Sequence, residues 1–150
     1  MNAFTSFGIA AALVGATAFL GSRFTSSSTR SAWYDRVKPS FTPPAAVFPV
    51  VWTVLYILMA VVLGRAFKAG DSTLVWAFVI NLVLNVAWTY AFFGARSPGA
   101  ALVVMALLLL STAWLLARAH RSDSVGFYML LPYAAWLAFA TALNAAAAAR

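Results

Sequence analysis

Charge is scarce in this sequence. Only 9% of its 150 residues are Asp, Glu, Lys or Arg, whereas an ordinary soluble domain carries about 25%. Hydrophobic residues make up 64% and the mean hydropathy is +0.90, so a surface built from this chain has too little charge to face water. Lipid is therefore the predicted solvent. The ten basic residues lie between apolar blocks, which predicts contact with lipid headgroups and no nucleic-acid partner.

Cysteine is missing altogether, which excludes disulfides, iron–sulfur clusters, thiolate metal sites and cysteine nucleophiles. The three carboxylates, Asp35, Asp71 and Asp123, lie outside the apolar blocks, which argues against a buried acid–base pair and against an ion-coupled pump. His120 lies in a basic turn, where we expect solvation at the headgroups in place of metal or haem ligation. The residues contain no hydrolase, transferase or metal-site signature, so no cofactor is predicted.

Apolar runs of nearly equal length dominate what is present. They cover residues 3–21, 44–67, 73–93, 98–119 and 126–149. Each is near the roughly 20 residues that cross a hydrocarbon core as a helix. Gly94 is typical of a helix stop, and Ser97-Pro98 and Asp123 are typical of helix starts. We therefore predict an all-α fold, in which a single domain forms a bundle of five transmembrane helices and the protein is integral to the membrane, with several passes.

Residues 22–43, between the first two runs, are too polar and too often interrupted by proline to cross a membrane. This segment contains Arg23, Arg30, Arg36 and Lys38. At about 20 residues it is long for a connection, and loops of that length are often functional lids. Its composition leaves two interpretations open, a lid over a site and a plain solvated loop at the headgroups.

Small residues recur at helical spacing in the first run, at Gly8, Ala12, Gly15 and Ala16. This pattern favours close helix packing, including packing across a dimer interface.

Five spans also place the two termini on opposite sides of the membrane. Six basic residues then fall on the side of the first loop and the C-terminus, and four fall on the other side. This bias predicts that the first loop and the C-terminus are cytoplasmic.

Polar side chains inside spans should face protein or a cavity, because their exposure to hydrocarbon is costly. Three predicted helices each carry aromatic or carboxamide side chains on one face: Trp52 and Tyr56; Asn81, Asn85, Trp88 and Phe92; and Tyr133, Trp136, Ala140 and Asn144. Indoles, phenols and carboxamides suit a flat, mostly apolar ligand held by stacking and a few hydrogen bonds. The alternative is that the asparagines bridge helices and the aromatic rings only pack or lie at the membrane interfaces.

Four separated motifs carry a family resemblance. They are WYDRVKPSFTPP from residue 33, VFPVVWTVLYILM from residue 47, NLVLNVAWTYAFFGAR from residue 81 and PYAAWLAFATALN from residue 132. Together with GSRF at residues 21–24, they resemble the translocator protein family, also called tryptophan-rich sensory proteins (TSPO), over nearly the whole chain. The resemblance implies a five-helix bundle, a homodimer and a pocket covered by the first loop. The implied ligands are porphyrins such as protoporphyrin IX, together with sterols and synthetic isoquinolines or benzodiazepines.

The resemblance places the family's pocket tryptophans on Trp52 and Trp136, its pocket asparagine on Asn85, and the lid's tryptophan–tyrosine pair on Trp33 and Tyr34. The expected function is a membrane receptor or sensor that stacks a tetrapyrrole between Trp52 and Trp136 and hydrogen-bonds it through Asn85. Two alternatives are also implied. One is a light- and oxygen-dependent degradation of porphyrin that would use both tryptophans, and the other is transport of tetrapyrroles or sterols.

Spacing and resemblance together predict one set of ligand-binding residues. They are Trp33, Tyr34, Trp52, Tyr56, Asn81, Asn85, Trp88, Phe92, Tyr133, Trp136 and Ala140. Two positions depart from the family, since Phe41 and Ala46 stand where tryptophan is common. After Asn144 the chain continues with alanines and Arg150. It lacks the tyrosine and the nearby arginine of the sterol pattern in animal members, which argues against sterol binding by that route.

Overall fold

The structure, a computed structural model, describes residues 1–150 and consists of helices and their connections. Helix α1 spans Ala3–Ser28, α2 Ala32–Val37, α3 Val47–Ala69, α4 Ser72–Thr89, α5 Pro98–Ser122 and α6 Ser124–Ala148. A π-helical turn, Tyr90–Gly94, continues α4. Five helices are long and apolar enough to cross a membrane, namely α1, α3, α5, α6 and α4 with its π turn. The predicted all-α, multi-pass architecture is therefore confirmed.

Short polar side chains and one glycine mark the helix ends. Four side chains each accept a backbone N–H three residues further on, and so satisfy a free donor in the first turn of α1, α4, α5 and α6. These residues are Asn2, Asp71, Ser97 and Asp123. The caps predicted at Ser97 and Asp123 are thus confirmed. Gly70 closes α3 with a left-handed φ of 69°, a backbone conformation that favours glycine.

The first helix ends at Ser28 instead of at residue 21, which corrects the predicted boundary of the lid. Hydroxyls in its last turns donate to carbonyls of the same helix, as Ser22 does to Phe19 and Thr25 to Gly21. Because these side chains are satisfied inside the helix, their polarity does not end it. A helix of 26 residues is about 39 Å long and exceeds a hydrocarbon core of about 30 Å. The connection to α3 is thus residues 29–46, which include α2, and we call it the lid segment.

Helix α3 begins at Val47, three residues after the predicted start at residue 44. Pro43 and Pro44 stay outside the helix, because proline restricts the residue before it to extended backbone. Pro49 therefore falls in the first turn of α3, where no intrahelical N–H bond is required of it. The later start places Trp52 in the second turn of α3, close to the lid segment.

The five long helices pack in a closed ring in the order α1, α3, α6, α5, α4. Fully buried side chains fill the interior, among them Met59 of α3, Phe78 of α4 and Leu130 of α6. Large apolar side chains also cover the outside, such as Trp76, which is 63% exposed and would contact acyl chains in a bilayer. The packed core lies mostly in the half of the bundle where α3 ends and α4 begins. The other half is left for the cavity described below.

The small residues of the first helix do not pack against another helix of this chain. Gly8, Ala12, Gly15 and Ala16 are all exposed. A Cβ built on Gly8 or on Gly15 would have no atom within 4 Å. The helix packing predicted from their spacing is therefore not formed within one copy of the chain. The homodimer stays a prediction.

Gly64 of α3 lies against Phe7 of α1, and its missing side chain makes room for the phenyl ring. A Cβ on Gly64 would lie 2.9 Å from Cγ of Phe7. Gly64→Val is therefore expected to displace the ring and to lower the free energy of unfolding by about 1–2 kcal/mol, measured by thermal unfolding in detergent. Gly15→Val is the matched control and should unfold like the unmodified protein. Adding Phe7→Ala to Gly64→Val should recover part of the loss. An equal loss in both glycine variants would contradict the contact.

Candidate ligand-binding cavity

A cavity of about 750 Å³ opens in the half of the bundle that the core leaves free. Residues of α1, α3, α4 with its π turn, and α6 form its walls, and the lid segment forms its mouth. Much of the wall is aromatic. It contains Trp52, Tyr56, Trp88, Phe92, Phe93 and Trp136. The volume falls within the roughly 300–1,000 Å³ of typical small-molecule sites.

Trp52 and Trp136 are neighbours on one wall. The Trp52 ring stacks on Tyr56 with 5.3 Å between centroids and 30° between planes. Trp136 meets Trp52 edge to face, with 6.4 Å between centroids and 88° between planes. The two indoles thus contact each other and line the cavity side by side. The stacking of a ligand between Trp52 and Trp136 stays a prediction.

Asn85 lies behind this wall. It is 1% exposed and does not line the cavity. Its Oδ1 accepts a hydrogen bond from the Tyr56 hydroxyl at 3.2 Å, and its Nδ2 donates to the Tyr133 hydroxyl at 3.2 Å. Both ends of the carboxamide are thus engaged within the protein. Asn85 positions Tyr56, which does line the cavity, and the hydrogen bond from Asn85 to a ligand stays a prediction.

The same hydrogen-bond network continues to Asn81 in the core. The Tyr133 hydroxyl donates to Oδ1 of Asn81 at 2.7 Å. Nδ2 of Asn81 donates to the hydroxyls of Ser111 and Thr112 at 3.2 and 3.0 Å. The network therefore joins α4 to α5 and α6. Asn81 and Tyr133 are 0% and 1% exposed and lie away from the cavity, so Asn81 is a bridge between helices, as the alternative interpretation predicted.

Trp88 is held by a carboxamide of α6. Its Nε1 donates to Oδ1 of Asn144 at 2.9 Å, and Nδ2 of Asn144 donates to the carbonyl oxygen of Pro98 at 2.9 Å. These bonds join α4, α5 and α6 at the cavity end of the bundle. Because the indole N–H is already engaged, Trp88 offers a ligand only the apolar surface of its ring.

The π turn carries two consecutive phenylalanines. Phe92 and Phe93 both line the cavity, with 4.7 Å between their ring centroids. No sequence pattern predicted this turn, and Phe93 was accordingly missing from the predicted set.

The lid segment is anchored on these phenylalanines. Trp33 contacts Phe92 edge to face at 5.9 Å, and Tyr34 contacts Phe93 at 5.9 Å. The guanidinium of Arg96 lies 5.7 Å from the centroid of the Trp33 ring, a cation–π distance. Tyr34 lines the cavity and Trp33 does not. Burial raises the pKa of Tyr34, so its hydroxyl keeps its proton at neutral pH and remains a hydrogen-bond donor.

Another part of the cavity lining is polar and was not predicted. The end of α1 and the residue after it present four hydroxyls at i, i+3, i+4 and i+7, and the lid segment adds two cations. The residues are Ser22, Thr25, Ser26, Thr29, Arg30 and Lys38. The helical spacing of the Ser/Thr run was the signal that could have revealed this wall. No carboxylate lines the cavity, whose lining thus combines aromatic rings with hydroxyls and cations.

The structure divides the predicted ligand-binding residues into two layers. Those on the cavity are Tyr34, Trp52, Tyr56, Trp88, Phe92, Trp136 and Ala140. Those behind it are Trp33, Asn81, Asn85 and Tyr133, each of which packs against or hydrogen-bonds other protein groups. Their contact with a ligand stays a prediction. Asn144, which shares a face of α6 with Trp136, belongs to the first layer.

This fold and site define a class of protein, a small multi-pass membrane protein whose five-helix bundle contains an aromatic cavity beneath a polar segment. Residues 9–150 match the TspO/MBR family, and the chain belongs to that family, which confirms the resemblance seen in its motifs.

Relatives align along most of the chain. It is 39% identical over 136 residues to the tryptophan-rich protein TspO of Chlorobaculum tepidum, covering 86% of this chain and 85% of the relative. It is 35% identical over 114 residues to the tryptophan-rich sensory protein of Cereibacter sphaeroides, covering 75% and 72%. It is 33% identical over 141 residues to the translocator protein of Homo sapiens, covering 84% and 78%.

Proposed function

We propose that this protein is a membrane receptor or sensor that binds a flat tetrapyrrole of the porphyrin class in the cavity. The observation that supports this best is the meeting of aromatic rings from α3, α4 and α6 at one cavity of about 750 Å³. Aromatic side chains bind flat π systems through offset stacking and edge contacts. One relative is named a tryptophan-rich sensory protein, and that name fits a receptor role.

The polar groups beside the aromatic rings of the cavity fit binding of the ligand better than its chemical conversion. Trp88 and Asn144 are hydrogen-bonded to each other, and the Tyr56 hydroxyl is bonded to Asn85. The cavity wall includes no carboxylate and no histidine, the side chains that most often transfer protons in catalysis. The protein would thus contribute shape, ring contacts and exclusion of water.

Loss of a cavity indole should weaken the binding of protoporphyrin IX. Trp136→Ala and Trp52→Ala are each expected to raise the Kd about tenfold, which corresponds to about 1.4 kcal/mol of lost contact. The porphyrin absorbance, titrated against protein in nanodiscs, gives the Kd without relying on tryptophan fluorescence. Trp76 and Trp114 are 63% and 44% exposed on the outside of the bundle, so Trp76→Ala and Trp114→Ala are matched controls that should keep the unmodified Kd.

Two results would contradict the proposal. One is an unchanged Kd in both Trp52→Ala and Trp136→Ala. The other is a loss of affinity that is equally large in the two outer tryptophan variants. A thermal unfolding curve for each variant shows whether it is folded at the temperature of the titration.

Illumination of the same samples in air separates binding from the alternative functions. Binding alone leaves the rate of porphyrin bleaching no faster than that of free porphyrin in empty nanodiscs. Faster loss of absorbance with a defined product, abolished by Trp52→Phe, would favour degradation. Porphyrin flux into sealed vesicles that contain the protein would favour transport, because binding alone does not produce flux.

A further inference from the structure

Two cationic side chains lie at the mouth of the cavity, and they are poorly neutralised by the protein. Arg30 and Lys38 both line the cavity. Lys38 approaches Asp35 at 3.3 Å, but the two side chains are 43% and 66% exposed, and an ion pair in such contact with water contributes little. Arg30 takes part in none of the three ion pairs of the structure. Positive charge is therefore left over at the mouth.

The opposite end of the bundle is organised differently. There Arg65 binds both carboxylate oxygens of Asp123, and Arg118 binds both of Asp71. These two carboxylates and Asp35 are the only three acidic side chains of the chain. At the mouth, Asp35 alone faces the two cations Arg30 and Lys38, so net positive charge remains there. A positive potential beside a cavity with low-dielectric walls attracts anions.

The cavity itself is amphipathic. Its lining combines aromatic rings of α3, α4 and α6 with the hydroxyls of α1 and with Arg30 and Lys38 of the lid segment. A wholly apolar ligand would match only the aromatic part of this lining. A ligand with a flat apolar body and an anionic edge would match both parts, because carboxylates form charge-assisted hydrogen bonds with guanidinium and ammonium groups.

We infer that Arg30 and Lys38 form an anion subsite that binds the carboxylates of the ligand. The cavity then selects carboxylated tetrapyrroles over neutral ones and holds them with the acidic edge toward the mouth. This inference rests on the proposed function and adds to it the charge and the orientation of the ligand. Neither residue belongs to the faces that periodicity predicted to bind the ligand.

Protoporphyrin IX and its dimethyl ester test the subsite, because they share the macrocycle and differ in charge. In nanodiscs of zwitterionic lipid, the unmodified protein is expected to bind the diacid about tenfold more tightly than the ester. The double variant Arg30→Gln/Lys38→Gln should bind the diacid about tenfold more weakly and the ester unchanged. Lys68→Gln/Arg121→Gln is the matched control, because both side chains are exposed at the other end of the bundle and neither is in an ion pair. This control variant should keep the preference for the diacid over the ester.

Equal affinities for the diacid and the ester in the unmodified protein would overturn the subsite, as would equal weakening of both in the double variant. Failure of both compounds to bind would instead contradict the proposed function.

Anionic lipid headgroups offer the same chemistry as the ligand carboxylates, so the comparison is repeated with phosphatidylglycerol in the discs. The diacid should still bind more tightly to the unmodified protein than to the double variant. Loss of that difference would assign Arg30 and Lys38 to headgroups and overturn the inference.

Discussion

Asp123→Ala is expected to lower the free energy of unfolding by about 3 kcal/mol, because one carboxylate has two structural roles. Its Oδ1 accepts the Gly126 N–H at 3.0 Å and caps α6, and its two oxygens accept hydrogen bonds from Arg65 of α3 at 2.8 Å each. A lost N-cap costs about 1 kcal/mol, and hydrogen bonds to a charged group are worth about 1.5–3 kcal/mol. The Asp123 side chain is only 13% exposed, while that of Arg65 is 41% exposed, so screening by water is partial.

Two further variants separate the cap from the ion pair. Asp123→Ser keeps a capping oxygen and Arg65→Gln keeps the whole cap, so each should lose only the ion-pair contribution, about 2 kcal/mol. Thermal unfolding in detergent measures all three. A midpoint in Asp123→Ala equal to that of the unmodified protein would contradict both roles of the carboxylate.

The same contacts determine the pH dependence of stability. Hydrogen bonds from Arg65 lower the pKa of Asp123, although burial acts in the opposite direction. Burial acts to raise the pKa of Asp71, but hydrogen bonds from Arg118 and from the Leu74 N–H outweigh it, so that pKa is also lowered. Because both folded values lie below the unfolded value of about 3.9, the stabilisation is present above that pH and is lost as the pH falls through the folded values. The deficit of Asp123→Ala should therefore be constant near neutral pH and shrink below about pH 4.

Asn81→Leu is expected to lower the free energy of unfolding by about 2–3 kcal/mol while leaving the Kd for protoporphyrin IX unchanged. Leucine keeps much of the volume but removes three hydrogen bonds, each worth roughly 0.6–1 kcal/mol between membrane helices. One of the three is the bond that the Tyr133 hydroxyl donates at 2.7 Å, and a buried donor left unsatisfied adds to the cost. Unfolding and porphyrin titration are measured on the same sample.

Ser111→Ala is the matched control for Asn81→Leu. It removes one of two acceptors for Nδ2 of Asn81 and leaves Thr112 at 3.0 Å, so its loss should stay below about 1 kcal/mol. A weakened porphyrin affinity in Asn81→Leu with undiminished stability would mean that Asn81 contacts the ligand. That result would contradict its position in the core.

One face of α4 carries both core and cavity residues. Periodicity predicted that Asn81, Asn85, Trp88 and Phe92 share a face directed to the interior, and all four are buried. From Asn81 to Phe92 the helix rises about 16 Å, so this face passes from the packed core to the cavity. The periodicity of the sequence gives the direction of a side chain around the helix axis, but it does not give the position of that side chain along the bundle. Because of their different positions along the bundle, Asn81 hydrogen-bonds to neighbouring helices and Phe92 lines the cavity.

The end of α1 differs from its prediction for a local reason. Ser and Thr hydroxyls stabilise turns and loops, and they also hydrogen-bond to carbonyls within a helix. Composition therefore could not decide whether the polar residues after residue 21 continue the helix. The structure extends the helix to Ser28, and that extension creates the hydroxylated wall and brings Arg30 to the mouth of the cavity.

By itself the sequence determined that the protein is a bundle of five membrane-spanning helices, because about 20 consecutive apolar residues can satisfy their backbone groups in a bilayer only as a helix. Its motifs also determined the family. Only the tertiary structure decided which side chains meet: Trp52 beside Trp136, Asn85 behind Tyr56, and Arg30 with Lys38 at the mouth. Such contacts depend on how each helix is rotated and shifted against its neighbours. That arrangement is set by close packing of the whole interior, which a linear pattern of residues does not contain.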